Sequence, residues 1–162
     1  MKSVKSDSVC VMLGKRNTGK SYLVKDLLSY HSDIPAGIVI SPTESSNQFY
    51  GNIFPPLFIY DEYDPAVIAK FVKRQKQATK KANSDSRYDP RAVCVLDDCL
   101  ADCTWHRDKN MRHIFLNGRH SHILFLLTSQ YPLGIPPTMR SNIDFVFILR
   151  ENIVKNRKII YE

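Results

Sequence analysis

The chain alternates short apolar runs with amphipathic or polar stretches along most of its length. Val9 to Leu13 is an unbroken apolar run that predicts a strand, and Lys20 to Tyr30 follows with a helical pattern in Leu23, Leu27 and Leu28. Gly37 to Ser41 predicts a second buried strand, with a turn over Pro42 to Ser46 and a short strand over Leu57 to Tyr60. Asp64 followed by Pro65 is a helix-start signal, and the periodicity carries that helix to about Lys81. Ala82 to Pro90 reads as a loop, Ala92 to Leu96 as a strand, and Asp108 to Asn117 as a helix. Ile123 to Thr128, Phe145 to Leu149 and Lys158 to Tyr161 complete the set as strands. Near-continuous apolar strands separated by helices predict a largely parallel sheet covered on both faces. Ligands of such sheets bind at the C-terminal ends of the strands.

The stretch after the first strand carries the sharpest chemistry. Gly14-Lys15-Arg16-Asn17-Thr18-Gly19-Lys20-Ser21 fits the phosphate-loop spacing, with Tyr22 at the head of the helix that follows. Gly14 and Gly19 allow the backbone to turn its N–H groups toward a triphosphate. Lys20 would reach the β- and γ-phosphates of ATP, and Ser21 would offer a hydroxyl to Mg²⁺. Strand, loop and helix in this order put phosphate on a helix N-terminus. Nucleotide binding is therefore expected over residues 14–22.

Asp97 and Asp98 end the strand Ala92 to Leu96. In an ATPase, Asp97 would hold Mg²⁺ and Asp98 would act as general base on the attacking water. The other reading is a turn or helix cap, which Asp also suits; the phosphate loop favours the catalytic one. Gln130 ends the next strand, where it can bond water and the γ-phosphate together and so sense hydrolysis, unless it is a solvent-facing strand end. Arg119 and Arg140 are two candidates for an arginine finger reaching a neighbouring subunit's nucleotide, and both also suit an ordinary surface.

Composition narrows the class. A hydrophobic share of 43% and a charged share of 24% over 162 residues suit one globular domain. No run approaches the roughly 20 apolar residues of a membrane span, and Met1 to Ser8 lacks a signal-peptide core, so cytosolic synthesis is expected. The 23 Lys and Arg against 16 Asp and Glu give a net charge of +7, which suits a polyanionic partner or an inert basic surface. Lys70, Lys73, Arg74, Lys76, Lys80, Lys81, Arg87 and Arg91 crowd one segment, either a track for a phosphate backbone or a solvated helix face. Cys10 and Cys94 fall inside strands and read as small core residues. Cys99, Cys103 and His106 raise the thought of zinc, without a second paired-cysteine motif to support it. The five histidines, His31, His106, His113, His120 and His122, are scattered and lack metal-binding spacing.

Taken in order, these residues make the chain resemble the genome-packaging ATPases of the nucleocytoplasmic large DNA viruses, a branch of the FtsK–HerA superfamily. The resemblance rests on 14–21, Ile-Ser-Pro-Thr-Glu at 40–44 and Phe-Ile-Tyr-Asp-Glu-Tyr at 58–63. It continues through Val-Leu-Asp-Asp-Cys at 95–99, Phe-Leu-Asn-Gly-Arg-His at 115–120 and Thr-Ser-Gln-Tyr at 128–131. Pro-Pro-Thr-Met-Arg-Ser-Asn-Ile-Asp at 136–144 and Phe-Ile-Leu-Arg-Glu-Asn at 147–152 close it.

The resemblance implies an α/β P-loop NTPase of the additional-strand, RecA-like type, with helices on both faces of a mainly parallel sheet. It implies a single domain over 1–162, truncated at the C-terminus relative to family members that run on further. Lys20 and Ser21 become Walker A residues, Asp97 and Asp98 the Walker B pair, and Gln130 the sensor. Arg119 matches the finger position of related ring ATPases, and Arg140 a second recurring arginine. The implied activity is an ATP-driven, purely protein molecular motor for virion assembly, a ring homo-oligomer that moves double-stranded DNA into the capsid irrespective of sequence. Capsid or portal components are the further partners, membrane insertion is not expected, and the place is the host cytoplasm, in the viral factory, and the virion. Lys15, Arg16 and Asn17 depart from the small residues common in phosphate loops. Three other readings stay open: another DNA-pumping ATPase of the superfamily, a nucleotide or nucleoside kinase sharing the loop, and a nucleotide-gated module without turnover.

Overall fold

The computed structural model describes residues 3–99, 105–131, 134–150, 154 and 158. Its centre is a six-stranded sheet in the order β3-β2-β4-β5-β1-β6, every pairing parallel. The strands are β1 Val9–Leu13, β2 Gly37–Ile40, β3 Ile59–Tyr60, β4 Ala92–Leu96, β5 Ile123–Ser129 and β6 Phe145–Ile148. All residues of β1, β4 and β5 are buried, as continuous apolar strands between two helical layers must be.

Alternation along the strands sends the two halves of each to different cores. Val9, Val11 and Leu13 join Cys94, Leu96, Phe125 and Leu127 under the helices α3 Pro65–Ser84, α4 Lys109–Asn117 and α5 Pro137–Arg140. Cys10 and Met12 join Val93, Val95, Leu124 and Leu126 under α1 Lys20–Ser29 and the segment around Tyr50. Helix α1 turns Val24, Leu27 and Leu28 inward, the spacing of a single buried stripe.

Two helix starts are built alike. Asp64 accepts from the Ala66 N–H at 2.7 Å, with Pro65 at the first helical position. Asp108 accepts from the Asn110 N–H at 2.8 Å, and Tyr63 donates to its other oxygen at 2.8 Å. Buried Gln75 pins α3 to the far end of the sheet by donating to the Pro90 and Ser121 carbonyls, each at 2.9 Å.

Three local expectations need correction. The stretch expected as a turn holds a short helix, α2 Glu44–Asn47, with Glu44 turned inward. Where a strand is expected from Leu57, a 3₁₀ turn occupies Pro56–Phe58, and only Ile59–Tyr60 pair with β2. Pro55 and Pro56 supply the reason: neither can donate to a ladder. Helix α3 runs to Ser84, because polar residues after Lys81 still continue a helix when nothing stops them. The strand expected over 158–161 lies outside the described residues except for Lys158, which is helical.

Candidate functional site

The site lies at the C-terminal ends of β1, β4 and β5. The loop after β1 bends through two left-handed residues, Asn17 with φ 57° and Gly19 with φ 92°. Such a sequence turns backbone N–H groups to one side, an anion-binding nest. A Cβ on Gly14 would stand 2.7 Å from Thr18 Oγ1, so the first glycine is required by close packing. Thr18 in turn donates to the Lys15 carbonyl at 2.8 Å and closes the loop. Lys20 Nζ donates to the Gly14 and Lys15 carbonyls at 2.9 and 2.8 Å, which leaves one of its three N–H groups for a phosphate oxygen. Burial lowers the Lys20 pKa; Asp98 and Asp97 oppose that shift, and Arg16 adds to it. Arg16 and Asn17 are exposed at the tip of the loop. Tyr22 is exposed too and meets Phe49 edge-on, with ring centroids 5.3 Å apart.

Strand register brings the carboxylates to the loop. Leu96 pairs with Leu127, so Asp97 and Thr128 stand side by side one residue further on. Thr128 is fully buried; it donates to Asp97 Oδ1 at 2.7 Å and accepts from the Asp98 N–H at 2.8 Å. Tyr50, also fully buried, donates to the other Asp97 oxygen at 2.7 Å. The Ser21 hydroxyl lies against the same phenol, whose acidity burial and the Asp97 charge suppress. Asp98 takes a left-handed backbone, φ 55°, uncommon for a residue with a side chain. Gln130 Nε2 donates to Asp98 Oδ1 at 2.7 Å, a bond that does not use Asp98 Oδ2 or the amide oxygen of Gln130.

The structure therefore gathers Gly14 to Ser21, Asp97, Asp98 and Gln130 at one end of the sheet. It does not bring Arg119 and Arg140 there. Arg119 opens a 3₁₀ turn before β5, at the opposite end of the strand from Gln130. Seven residues at about 3.3 Å each put the two roughly 20 Å apart. Arg119 pairs with Asp144, which also accepts from the Val9 N–H at 2.8 Å. Arg140 ends α5 and is exposed.

Serine hydroxyl and carboxylate are hard oxygen donors, the set that suits Mg²⁺, and Ser21 and Asp97 are close enough to share one hydroxyl neighbour. For zinc, the described residues contain no group of three or more His, Cys, Asp or Glu able to hold a metal, and Cys103 lies outside them. Cys99 is buried and donates to the Ile40 carbonyl at 3.1 Å.

No protein-family model matches the chain. Among curated proteins it is 48% identical over 155 residues to uncharacterized protein 075L of Invertebrate iridescent virus 6, covering 95% of this chain and 58% of that one. It is 37% identical over 161 residues to uncharacterized protein L437 of Acanthamoeba polyphaga mimivirus, covering 96% and 56%. The chain thus spans about half the length of the curated relatives it matches. Among solved structures it resembles the genome packaging NTPase B204 of Sulfolobus turreted icosahedral virus 2 bound to AMPPCP. That match has a TM-score of 0.66 at 16% identity and covers 98% of this chain and 82% of B204. The conjugation coupling protein TcpA of pCW3 with ATPγS gives a TM-score of 0.68 at 14% identity, over 95% and 52%. The fold is that of a P-loop ATPase.

Within that P-loop fold, β5 is the additional strand, inserted between the phosphate-loop strand β1 and the carboxylate strand β4. Three groups at the site have no role in the expectations from sequence: Tyr50, Thr128 and Glu44, the last two known there only as members of the segments 128–131 and 40–44. Thr128 had a signal, a lone polar residue ending an apolar run at the height of Asp97. Tyr50 and Glu44 had none, because their positions depend on the path of the 44–54 segment across the sheet.

Proposed function

We propose that this chain is the ATPase domain of a viral DNA-packaging motor, hydrolysing ATP to drive double-stranded DNA into a capsid. The observation that carries the reading is the Gln130–Asp98 bond at 2.7 Å beside a phosphate loop. A base held by a glutamine that still has polar atoms to spare suits attack by water; a kinase would need an acceptor pocket there instead.

Lys20 neutralises the β- and γ-phosphates, while the N–H groups of the loop hold the rest of the chain of phosphates. Ser21 and Asp97 hold Mg²⁺, whose charge offsets that of the phosphates. Asp98 takes the proton of the attacking water through its free oxygen, and Gln130 orients that water. Arg119, and Arg140 after it, act on the nucleotide of a neighbouring subunit in a ring, since neither reaches its own. Likeness to a viral packaging NTPase and to a conjugation coupling protein, together with relatives in two large DNA viruses, supports the choice of DNA as cargo.

Helix α3 supplies the surface for that cargo. Its 20 residues include no Asp or Glu, and Lys70, Lys73, Lys76, Lys80 and Lys81 are exposed along it. A row of cations on a straight rod contacts phosphates and is indifferent to base sequence. Capsid or portal proteins complete the machine, in the host cytoplasm and the virion. No helix among the described residues is long and apolar enough to cross a membrane.

The test is ATP hydrolysis measured against protein concentration, with and without duplex DNA, using Lys20→Ala as the blank. Turnover that rises faster than linearly and is stimulated by DNA supports a ring motor with shared sites. Lys20-dependent ATP binding with flat, negligible turnover would reduce the domain to a nucleotide-binding core.

A further inference from the structure

Tyr50 makes a polar contact that packing does not require. Its ring belongs to the buried apolar cluster that also holds Val39, Val93 and Val95, a role a phenylalanine could also fill. The hydroxyl alone carries the bond to Asp97 Oδ2 at 2.7 Å, and both groups are out of solvent. A buried hydroxyl without that partner would be costly, so the bond to the carboxylate holds the hydroxyl where it is.

The segment bearing Tyr50 is itself clamped. Both oxygens of Glu44 accept from the Tyr50 N–H at 3.0 Å, and Oε1 also accepts from the Gly51 N–H at 2.8 Å. Glu44 is buried and directs its charge at two successive backbone amides. That clamp sets where the phenol can reach. Asp97 is then gripped at both oxygens from two elements, by Thr128 on β5 and by Tyr50 beneath α1. Ser21 is a side-chain neighbour of the same phenol, so Tyr50 is bonded to one of the two groups that the proposed function assigns to Mg²⁺ and lies near the other.

We infer that Tyr50 is a positioning residue for Mg²⁺: its hydroxyl fixes the Asp97 carboxylate and its spacing from Ser21, so that the pair accepts the cation that accompanies ATP. The inference rests on the ATPase reading above. Outer-shell donors to a ligating carboxylate commonly change metal affinity about 10- to 100-fold when removed. Among the described residues the phenol's bond goes to Asp97 and not to residues 14–20, the part of the loop that faces the phosphates, so binding of ATP without metal should be spared.

The experiment is equilibrium binding of a fluorescent ATP analogue to the wild-type chain, Tyr50→Phe and Lys20→Ala, in EDTA and across a Mg²⁺ titration. Tyr50→Phe is expected to bind the analogue in EDTA within about twofold of wild type while needing about 10- to 100-fold more Mg²⁺ to tighten it. Glu44→Gln, which keeps the phenol and loosens its clamp, should shift the Mg²⁺ requirement in the same direction by less, and it serves if Tyr50→Phe does not fold. Wild-type Mg²⁺ dependence in Tyr50→Phe, or in Glu44→Gln where that stands in, overturns the inference and leaves the ATPase reading intact. Wild-type binding that needs Lys20 but ignores Mg²⁺ also overturns it. Absence of Lys20-dependent binding in the wild type brings down the ATPase reading and the inference together.

Discussion

Replacing Thr128 by valine removes a hydroxyl and little else, since the two side chains have the same shape. Thr128 is fully buried, donates to Asp97 at 2.7 Å and accepts from the Asp98 N–H at 2.8 Å. A hydrogen bond to a buried carboxylate contributes about 1.5–3 kcal/mol. The Asp98 N–H is only partly buried and recovers some of its loss from water, so its share is about 1 kcal/mol. Together they predict a destabilisation of about 3 kcal/mol for Thr128→Val. For a domain of this size, at about 2–4 °C per kcal/mol, the melting temperature should fall by about 6–12 °C. Thr128→Ser keeps the hydroxyl and gives up one buried methyl, about 1 kcal/mol, so it should recover most of the loss. Calorimetric melts of the three proteins in reducing buffer measure this directly. A valine variant within about 2 °C of wild type, or a serine variant no better than valine, would refute the claim that the hydroxyl holds the carboxylate pair.

Asp98→Asn should keep ATP binding and lose hydrolysis; normal turnover would remove Asp98 as the base. Arg119→Ala should bind ATP normally and lose the rise in specific activity with protein concentration, and if Arg140→Ala alone does so, the order of the two arginines reverses. Gly37→Ala should destabilise the domain by about 1–3 kcal/mol in urea titrations, because its Cβ would stand 2.4 Å from Val93 Cγ1 and 2.7 Å from Phe54. Burial raises the pKa of Cys10 and Cys99 to about 12, and raises Cys94 as well, from an ordinary 9.0. Above about pH 9 the unfolded chain therefore releases thiol protons that the folded chain keeps, and stability falls as pH rises, by up to about 1.4 kcal/mol per unit for each thiol. Urea midpoints from pH 8 to 11, compared with Cys94→Ala, check the slope, which should be shallower in the variant.

Much of the frame was legible because its signals are local. A run such as Val93-Cys94-Val95-Leu96 is apolar on both faces of a strand, and Asp64-Pro65 ends ambiguity about where α3 begins. The phosphate loop, the carboxylate pair and Gln130 sit at strand ends for the same reason, and the sheet collects them without further instruction. What escaped is what depends on register and on chain path. Tyr50 reaches Asp97 across 47 residues, and Thr128 across 31. Arg119 meets Asp144 across 25, a pairing that places it at the far end of the sheet, which no spacing along the chain announces. The pairing of β3 escaped because two prolines before it shorten the strand to two residues.

Strand β5 has one consequence for the whole molecule. Every residue in it is buried, and it is bonded to β1 on one side and β4 on the other. Its upper end leads into Gln130, in contact with Asp98; its lower end emerges from the turn that carries Arg119, tied down by bonds from the Ile123 N–H to Gly118 and from the Ala92 N–H to His122. A member held along both edges cannot bend in the middle, so its two ends move together or not at all. Gln130, the proposed sensor, and Arg119, the proposed finger for a neighbouring subunit, are thus mounted on one stiff rod, about 20 Å long.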